Sequence, residues 1–420
     1  MQLLIKKVRI ISPQSTFNGK IKDIYIENGK ILEIQDDLDK KDSPVLEGEN
    51  LHISIGWMDT FADFCDPGFE YKEDLLSGCL SAASGGYTAV MVLPNTHPVM
   101  QSKSQIEYVI NKTNGNLVNI HPIGAISKNL DGNTLAEMYE MANFGACAFS
   151  DGLKPIQSSG LLLKALQYVK TFHGVIIQVP DDCSISKSGL MNEGISSTRF
   201  GMPGKPAIAE EIMISRDIEL ARYADSKIHF TGVSTKKGLE LIAQAKKEGI
   251  QVTCSLTPYH ITLADDALSD YDANLKVNPP IRSHEDVAAL KEGIKMGWVD
   301  CFASHHIPQN QDSKQVEFEY AKEGMIGLET SFGLINQALN GIELETIINM
   351  LTTQPRSIFQ IPLPKIELNE MANLTIFNPD LKWTWKEKDN HSKSNNSPFF
   401  NQTMKGKVLG VINNNNYYLY

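Results

Sequence analysis

The chain has 420 residues, 42% of them apolar and 21% charged, with a formal net charge of -11 and a pI near 5.4. That balance belongs to a globular protein with a sizeable core, either one large barrel with an appendage or two to three smaller domains. The acidic excess and the lack of a lysine/arginine-rich run argue against nucleic acid as a partner.

The opening stretch, MQLLIKKVRIIS, is too short and too interrupted by charge to read as a signal peptide. No apolar run reaches membrane-spanning length. Cys65, Cys79, Cys147, Cys183, Cys254 and Cys301 are scattered, with no Cys-x-x-Cys. This speaks against a disulfide framework and against a structural zinc module. A reduced, cytoplasmic protein is expected, with no membrane partner.

The first fifty residues read as short strands and turns. IKDIYIENGKILEI places two β-rich runs around Asn28-Gly29, a hairpin signal. From Ile53 the grammar changes. Apolar β-like runs recur at 88–94, 119–126, 146–151, 174–180, 227–234, 250–258 and 299–304. Amphipathic segments such as GKPAIAEEIMISRDIELARYA and STKKGLELIAQAKKEG lie between them, the latter with helical spacing and a glycine stop. Unbroken apolar strands alternating with helices imply a parallel sheet buried on both faces, and about eight such units predict a β/α barrel. After about Leu363 the chain returns to strands in ANLTIFN, KWTW and GKVLGVINN, and the polar KEKDNHSKSNNSPFFNQ between them reads as a loop. One small β domain built from both ends of the chain (1–52 and 364–420) is expected beside a barrel of residues 53–363.

Barrel active sites stand at the C-terminal ends of the strands. A hydrolytic metal site needs several histidine and carboxylate ligands converging there. The chain has ten histidines but no His-x-His and no His-Glu-x-x-His. The one adjacent pair, His305–His306, would project to opposite faces of a strand and make a poor chelate.

Several stretches together resemble dihydroorotase, of the amidohydrolase superfamily, over essentially the whole chain. They include DPGFEYKEDLLSG, GGYTAVMVLPNTHPV, GLMNEGISSTRFGMPGKPAIAEEIMISRDIELAR, VTCSLTPYH, LKVNPPIR and ANLTIFNP. The resemblance implies a (β/α)8 TIM-like barrel of the amidohydrolase type with a small flanking β-sandwich domain built from both termini. It implies zinc as cofactor and the reversible hydrolysis of dihydroorotate to carbamoyl aspartate in pyrimidine synthesis.

The departures from the family pattern are as specific as the matches. The first-strand Asp-x-His-x-His-x-Arg of the family is here Asp59, Thr60, Phe61, Ala62, Asp63, Phe64 and Cys65. Both histidine ligands and the substrate-binding arginine are replaced. The acidic Ser-Asp-Asp-Gly stretch retains only Asp151. Val179 takes the histidine position of Gln-His-x-Glu-Asp, Gly232 that of a ligand histidine before Val-Ser-Thr, and His305 that of the catalytic aspartate. Phenylalanine, valine and glycine supply no donor electron pair for zinc. Without the metal, water keeps a pKa far above neutral. No metal or other cofactor is therefore expected, and no catalytic residue.

Asn95, Asn278 and His306 match family residues on the substrate side, although both asparagines also suit turn chemistry beside prolines. Asp63 and Asp151 could bind a stray cation or serve as hydrogen-bonded strand-end acids. The expectation for His305 and His306 is a hydrogen-bonded pair filling the vacated pocket. Cys65 and Cys301 are expected to be inert thiols. Phe61, Phe64 and Trp57 are expected in the core, plugging the mouth. The reading is a pseudoenzyme, which the resemblance pairs with aspartate transcarbamoylase, and a homodimer. The alternatives are an active cyclic amidohydrolase with an atypical zinc site, or a non-catalytic sensor of a pyrimidine precursor.

Overall fold

In the computed structural model, which describes residues 1–41 and 43–420, eight parallel strands form a barrel. In chain order they are Trp57–Ala62, Tyr87–Val92, Asn119–Gly124, Ala148–Phe149, Ile176–Gln178, Ile228–Thr231, Val252–Leu256 and Cys301–Phe302. Each sits beside its sequence neighbour, the arrangement that right-handed strand–helix–strand crossovers produce. Each strand run expected from sequence overlaps one of these strands.

Side chains alternate between two cores. Ala89, Met91, Leu93, Ile123 and Ile177 fill the barrel interior. Val90, Val92, Ile176 and Ile228 pack outward against the helices. The first strand breaks strict alternation, because its register shifts between Asp59 and Ala62. Met58 and Phe61 consequently both enter the interior core.

First and eighth strands are joined by few contacts, each specific. Ala62 bridges His306, and Asp63 N–H donates to His306 O at 2.8 Å. The fully buried Asp59 carboxylate accepts from Ser304 N at 2.6 Å and Ser304 Oγ at 2.9 Å. Burial still raises its pKa to about 6, against those hydrogen bonds.

The outer helices begin and end where local chemistry directs. STKKGLELIAQAKKEG forms the helix Lys236–Lys247, capped by the Thr235 side chain on Gly238 N and followed by Gly249 at φ +80. GKPAIAEEIMISRDIELARYA contains the helix Ile208–Ala224.

Both ends of the chain build a second eight-stranded sheet. His52–Ile55 is its hinge, pairing parallel with Gln2–Ile10 and antiparallel with Leu374–Thr384. The expected hairpin forms at Asn28-Gly29, both at positive φ, between Ile21–Glu27 and Lys30–Gln35. KWTW is not a separate strand, because Leu374–Thr384 runs through most of it.

The segment from Lys386 to Gln402 is largely irregular, as expected, but it is no free loop. Ser392, Ser394, Asn396 and Ser397 are buried. Asn396 accepts from Gln309 N, donates to Ile307 O and receives Ile326 N on its backbone carbonyl. The segment is a strap across the barrel's C-terminal end.

Candidate functional site

The strand ends converge on His305. Its ring is 1% exposed and stacks on Phe61 at 4.5 Å between centroids, with planes 30° apart. Its Nε2 lies 2.8 Å from Thr231 Oγ1. Burial, reinforced by His260 and His229, pushes its pKa down to about 3, so the ring is neutral.

Thr231 ends a chain of hydrogen bonds across the barrel floor. Ser255 Oγ donates to Thr231 Oγ1 at 2.9 Å; His229 Nε2 lies 3.1 Å from Ser255 Oγ, and His229 Nδ1 lies 2.9 Å from Thr253 Oγ1. Thr231 Oγ1 thus joins the floor network to His305 Nε2.

Gly232 sits at φ +69 directly beside this ring. A Cβ there would meet His305 Cε1 at 2.6 Å and Nε2 at 3.1 Å. Val179, 2% exposed, lines the same space with its apolar side chain. Asp63 is buried, accepts the Cys65 N–H at 2.9 Å, and is raised in pKa by burial. Cys65 is buried at φ +58, and burial pushes its thiol up; Cys301 is buried with the same consequence. Asp151 accepts Ile126 N and Ser127 N, each at 2.9 Å, and the Ser127 hydroxyl, so its oxygens organise the loop after the third strand. Among the described residues, no group of three or more His, Cys, Asp or Glu is placed to hold a metal ion.

His306 is not bonded to His305, contrary to the expected pair. Its Nδ1 accepts Gly327 N–H at 3.2 Å, so Nε2 donates to Glu73 Oε2 at 3.3 Å, both side chains being fully buried. Positive φ at His305 (+44) turns the chain between them, so the two rings serve different partners. Glu73 also receives Ser392 Oγ, Ser77 Oγ and Lys393 N, which fastens the strap over His306. Sequence reading did not single out Glu73. Its signal was the DPGFEYKED acid cluster, which gives no hint of a strap 319 residues away.

The two asparagines are held by protein groups. Asn95 Oδ1 accepts Leu153 N at 3.2 Å, and Asn95 Nδ2 donates to Asp151 O at 3.4 Å. Asn278 Oδ1 accepts Lys205 Nζ at 2.5 Å, and Asn278 Nδ2 donates to Asp181 at 3.4 Å. Lys205 and Asp181 form a buried ion pair at 2.7 Å behind it. Lys205 was not singled out either, because a lone lysine in GMPGKPAIAEE carries no sign of burial.

Of the aromatic residues, Phe61 lies beside His305, and Phe64 lies edge-on to His306 at 6.2 Å with its ring over Gly78. Trp57 does not reach the mouth. It starts the first strand, donates to Ser54 Oγ and packs on Phe332 and Phe377 at the opposite end of the barrel.

What remains open is a cavity of about 220 Å³ at the barrel mouth, walled by Leu153, Val179, Val277, Ile307 and Met325, with Tyr259, Asn278, His305 and Gln309 among its lining.

The dihydro-orotase-like family model matches residues 53–238. The dihydroorotase of Acetivibrio thermocellus is 38% identical over 418 residues, covering 99% of this chain and 98% of that protein. The dihydroorotase of Syntrophus aciditrophicus is 36% identical over 419 residues, covering 98% of each. Among solved structures, L-hydantoinase (dihydropyrimidinase) from Arthrobacter aurescens superposes with a TM-score of 0.85 over 99% of this chain and 95% of that one. At 22% identity that likeness speaks to the fold, which the β/α barrel and terminal sheet share. On full-length identity to curated relatives, the chain belongs to the dihydroorotase family.

Proposed function

We propose that this protein serves pyrimidine biosynthesis as a dihydroorotase-family member that does not carry out the family's hydrolysis. The observation that carries the reading is the crowding at Gly232, where His305 fills the space a ligand side chain would need. A hydrolytic zinc centre requires converging nitrogen and oxygen donors and an open position for water. Phe61 and Val179 offer no donor, Gly232 has neither side chain nor room for one, and Asp63 and Asp151 are engaged by backbone N–H groups. These residues do not fit such a centre.

His305 stands at the family's base position. An imidazole held near pKa 3 by burial accepts protons poorly at neutral pH. Asn95, Asn278 and His306, the residues matched to the substrate side, have their polar atoms bonded to protein groups. With Cys65 in place of arginine, a bidentate grip on a substrate carboxylate is missing.

The test is dihydroorotate hydrolysis, and its reverse, by purified protein with excess zinc. No turnover above the metal-only blank is expected. Turnover that survives purification and disappears with a chelator overturns the reading and favours an active cyclic amidohydrolase, the activity that the curated relatives' names carry. The proposed role is that of a non-catalytic homodimeric partner of aspartate transcarbamoylase. Co-purification and native mass measurement of the two proteins test it, and absence of a complex removes that role.

A further inference from the structure

The strap meets the barrel at three consecutive residues. Ser392 Oγ and Lys393 N bind Glu73, and the Lys393 ammonium pairs with Asp74. His391, just ahead of them, binds Glu329. That carboxylate precedes the helix Ser331–Ala338 and its side chain is 2% exposed. Its oxygens accept His391 N at 2.8 Å, Ser84 Oγ at 3.1 Å and Ser81 Oγ at 3.2 Å, and Oε2 lies 3.1 Å from His391 Nδ1. Among the described residues, His391 is the one side chain able to carry positive charge within 4.0 Å of Glu329.

The ring fits its place with or without that charge. Nδ1 carries a proton in both states, because it faces a carboxylate. Nε2 lies 3.1 Å from the Tyr418 hydroxyl, which donates to a neutral ring and accepts from a protonated one. What a second proton changes is the strength of the hold. A charged donor makes a hydrogen bond about twice as strong as a neutral one, and a buried carboxylate without a cation is costly.

The surroundings favour the charged ring. Glu329 acts first, through its hydrogen bond, and Asp389 of the strap adds a second negative charge; together they outweigh partial burial and hold the imidazole above its usual value of 6.5. The helix Leu75–Ser84 presents Ser81 and Ser84, which do not titrate in this range. From the C-terminal end come Tyr418 and Tyr420, whose phenols burial pushes up, so they stay neutral. Lys407, on the strand Thr403–Asn413, interacts with Asp389 and lies 4.3 Å over the Tyr420 ring.

We propose that His391 is a proton-sensitive clasp for the strap: its protonated ring draws the strap onto Glu329, and loss of that proton loosens the strap's leading edge over the barrel mouth. A histidine raised by its partner contributes fully below 6.5, and that contribution is lost as pH rises through the raised value. The strap is therefore tighter in mild acid than in mild base. The clasp reaches the mouth through its neighbours: Ser392 shares Glu73 with His306, and Asn396 holds Ile307 and Gln309. It stands whether or not the family's hydrolysis is lost.

NMR titration of the ¹⁵N-histidine-labelled full chain tests it on the unaltered protein, the His391 ring being identified by its Overhauser contact with the Tyr418 ring, 5.6 Å away. Its midpoint should lie above 6.5, and Glu329→Gln should lower it. Tryptic cleavage after Lys393 reads the strap itself. It is compared at each pH with His391→Asn, whose amide keeps a neutral donor near Nδ1, so that the protease's own pH dependence cancels. The native chain should be cleaved several-fold more slowly than the variant at about pH 6 and nearly as fast at about pH 8. A midpoint at or below 6.5, a midpoint unmoved by Glu329→Gln, or a cleavage ratio constant with pH each overturns the clasp.

Discussion

Replacing Gly232 by alanine probes the crowding on which the functional reading depends. Gly232 lies at φ +69, where an L side chain costs about 1 kcal/mol or somewhat more. The new Cβ would stand 2.6 Å from His305 Cε1, so the ring must move. Movement breaks the 2.8 Å bond to Thr231, a loss of about 1 kcal/mol. It also disturbs the stack on Phe61, a further loss of about 1 kcal/mol. The expected destabilisation is about 3 kcal/mol, of which about 2 kcal/mol acts through His305. Urea unfolding followed by tryptophan fluorescence measures it, provided the slope with denaturant stays constant. In a His305→Ala background the same substitution should cost only about 1 kcal/mol, the backbone contribution, giving a coupling of about 2 kcal/mol. An equal cost in both backgrounds, or a cost below about 0.5 kcal/mol in the native one, would refute the reasoning. Position 232 would then be open to a ligand side chain.

Acid should destabilise the fold through its buried histidines. Burial holds His121 and His260 near pKa 4, and His229 and His305 near 3. Stability from a lowered imidazole pKa is present above the unfolded value of 6.5 and is lost as pH falls toward the folded one, at about 1.4 kcal/mol per unit for each ring. Asp59 and Asp217, raised to about 6 by burial, act oppositely: their contribution is complete below 3.8 and is lost as pH rises through 6. The four strongly shifted rings outweigh Asp59 and Asp217 together with the smaller rises at Asp63, Asp151, Asp300 and Glu211, so unfolding midpoints should fall between pH 6.5 and 5. His305→Phe should shallow that slope by about one proton, and an unchanged slope contradicts burial as the cause. Glu73→Gln weakens the buried knot that ties His306 to the strap, and a loss of about 2 kcal/mol is expected from a buried charged acceptor. Faster tryptic cleavage after Lys393 would report it, whereas native-like protection would show that Asn396 and its neighbours hold the strap alone. Thiol labelling of the native protein should modify the exposed Cys183 first, while the buried Cys65, Cys79, Cys254 and Cys301 wait for unfolding. Early modification of Cys65 would show an open barrel mouth.

The sequence by itself determined the architecture, because the barrel strands lie in apolar-rich runs separated by helical segments, several of them amphipathic, and those patterns act over neighbouring residues. The residue types at 61, 179 and 232 cannot donate an electron pair whatever their setting, and the proposed loss of the family's hydrolysis starts from that. Only the tertiary structure decided what stands around them. His305 and His306 are adjacent in the chain, yet positive φ at His305 sends one ring to Thr231 and the other to Glu73. Lys205 meets Asn278 across 73 residues, and Ser392 meets Glu73 across 319. Such pairs leave no periodic trace, because what joins them is barrel closure and not distance along the chain. The same holds for the buried His305 Nδ1 and Gln309 Oε1: their lack of partners exists only once every neighbouring group is in place.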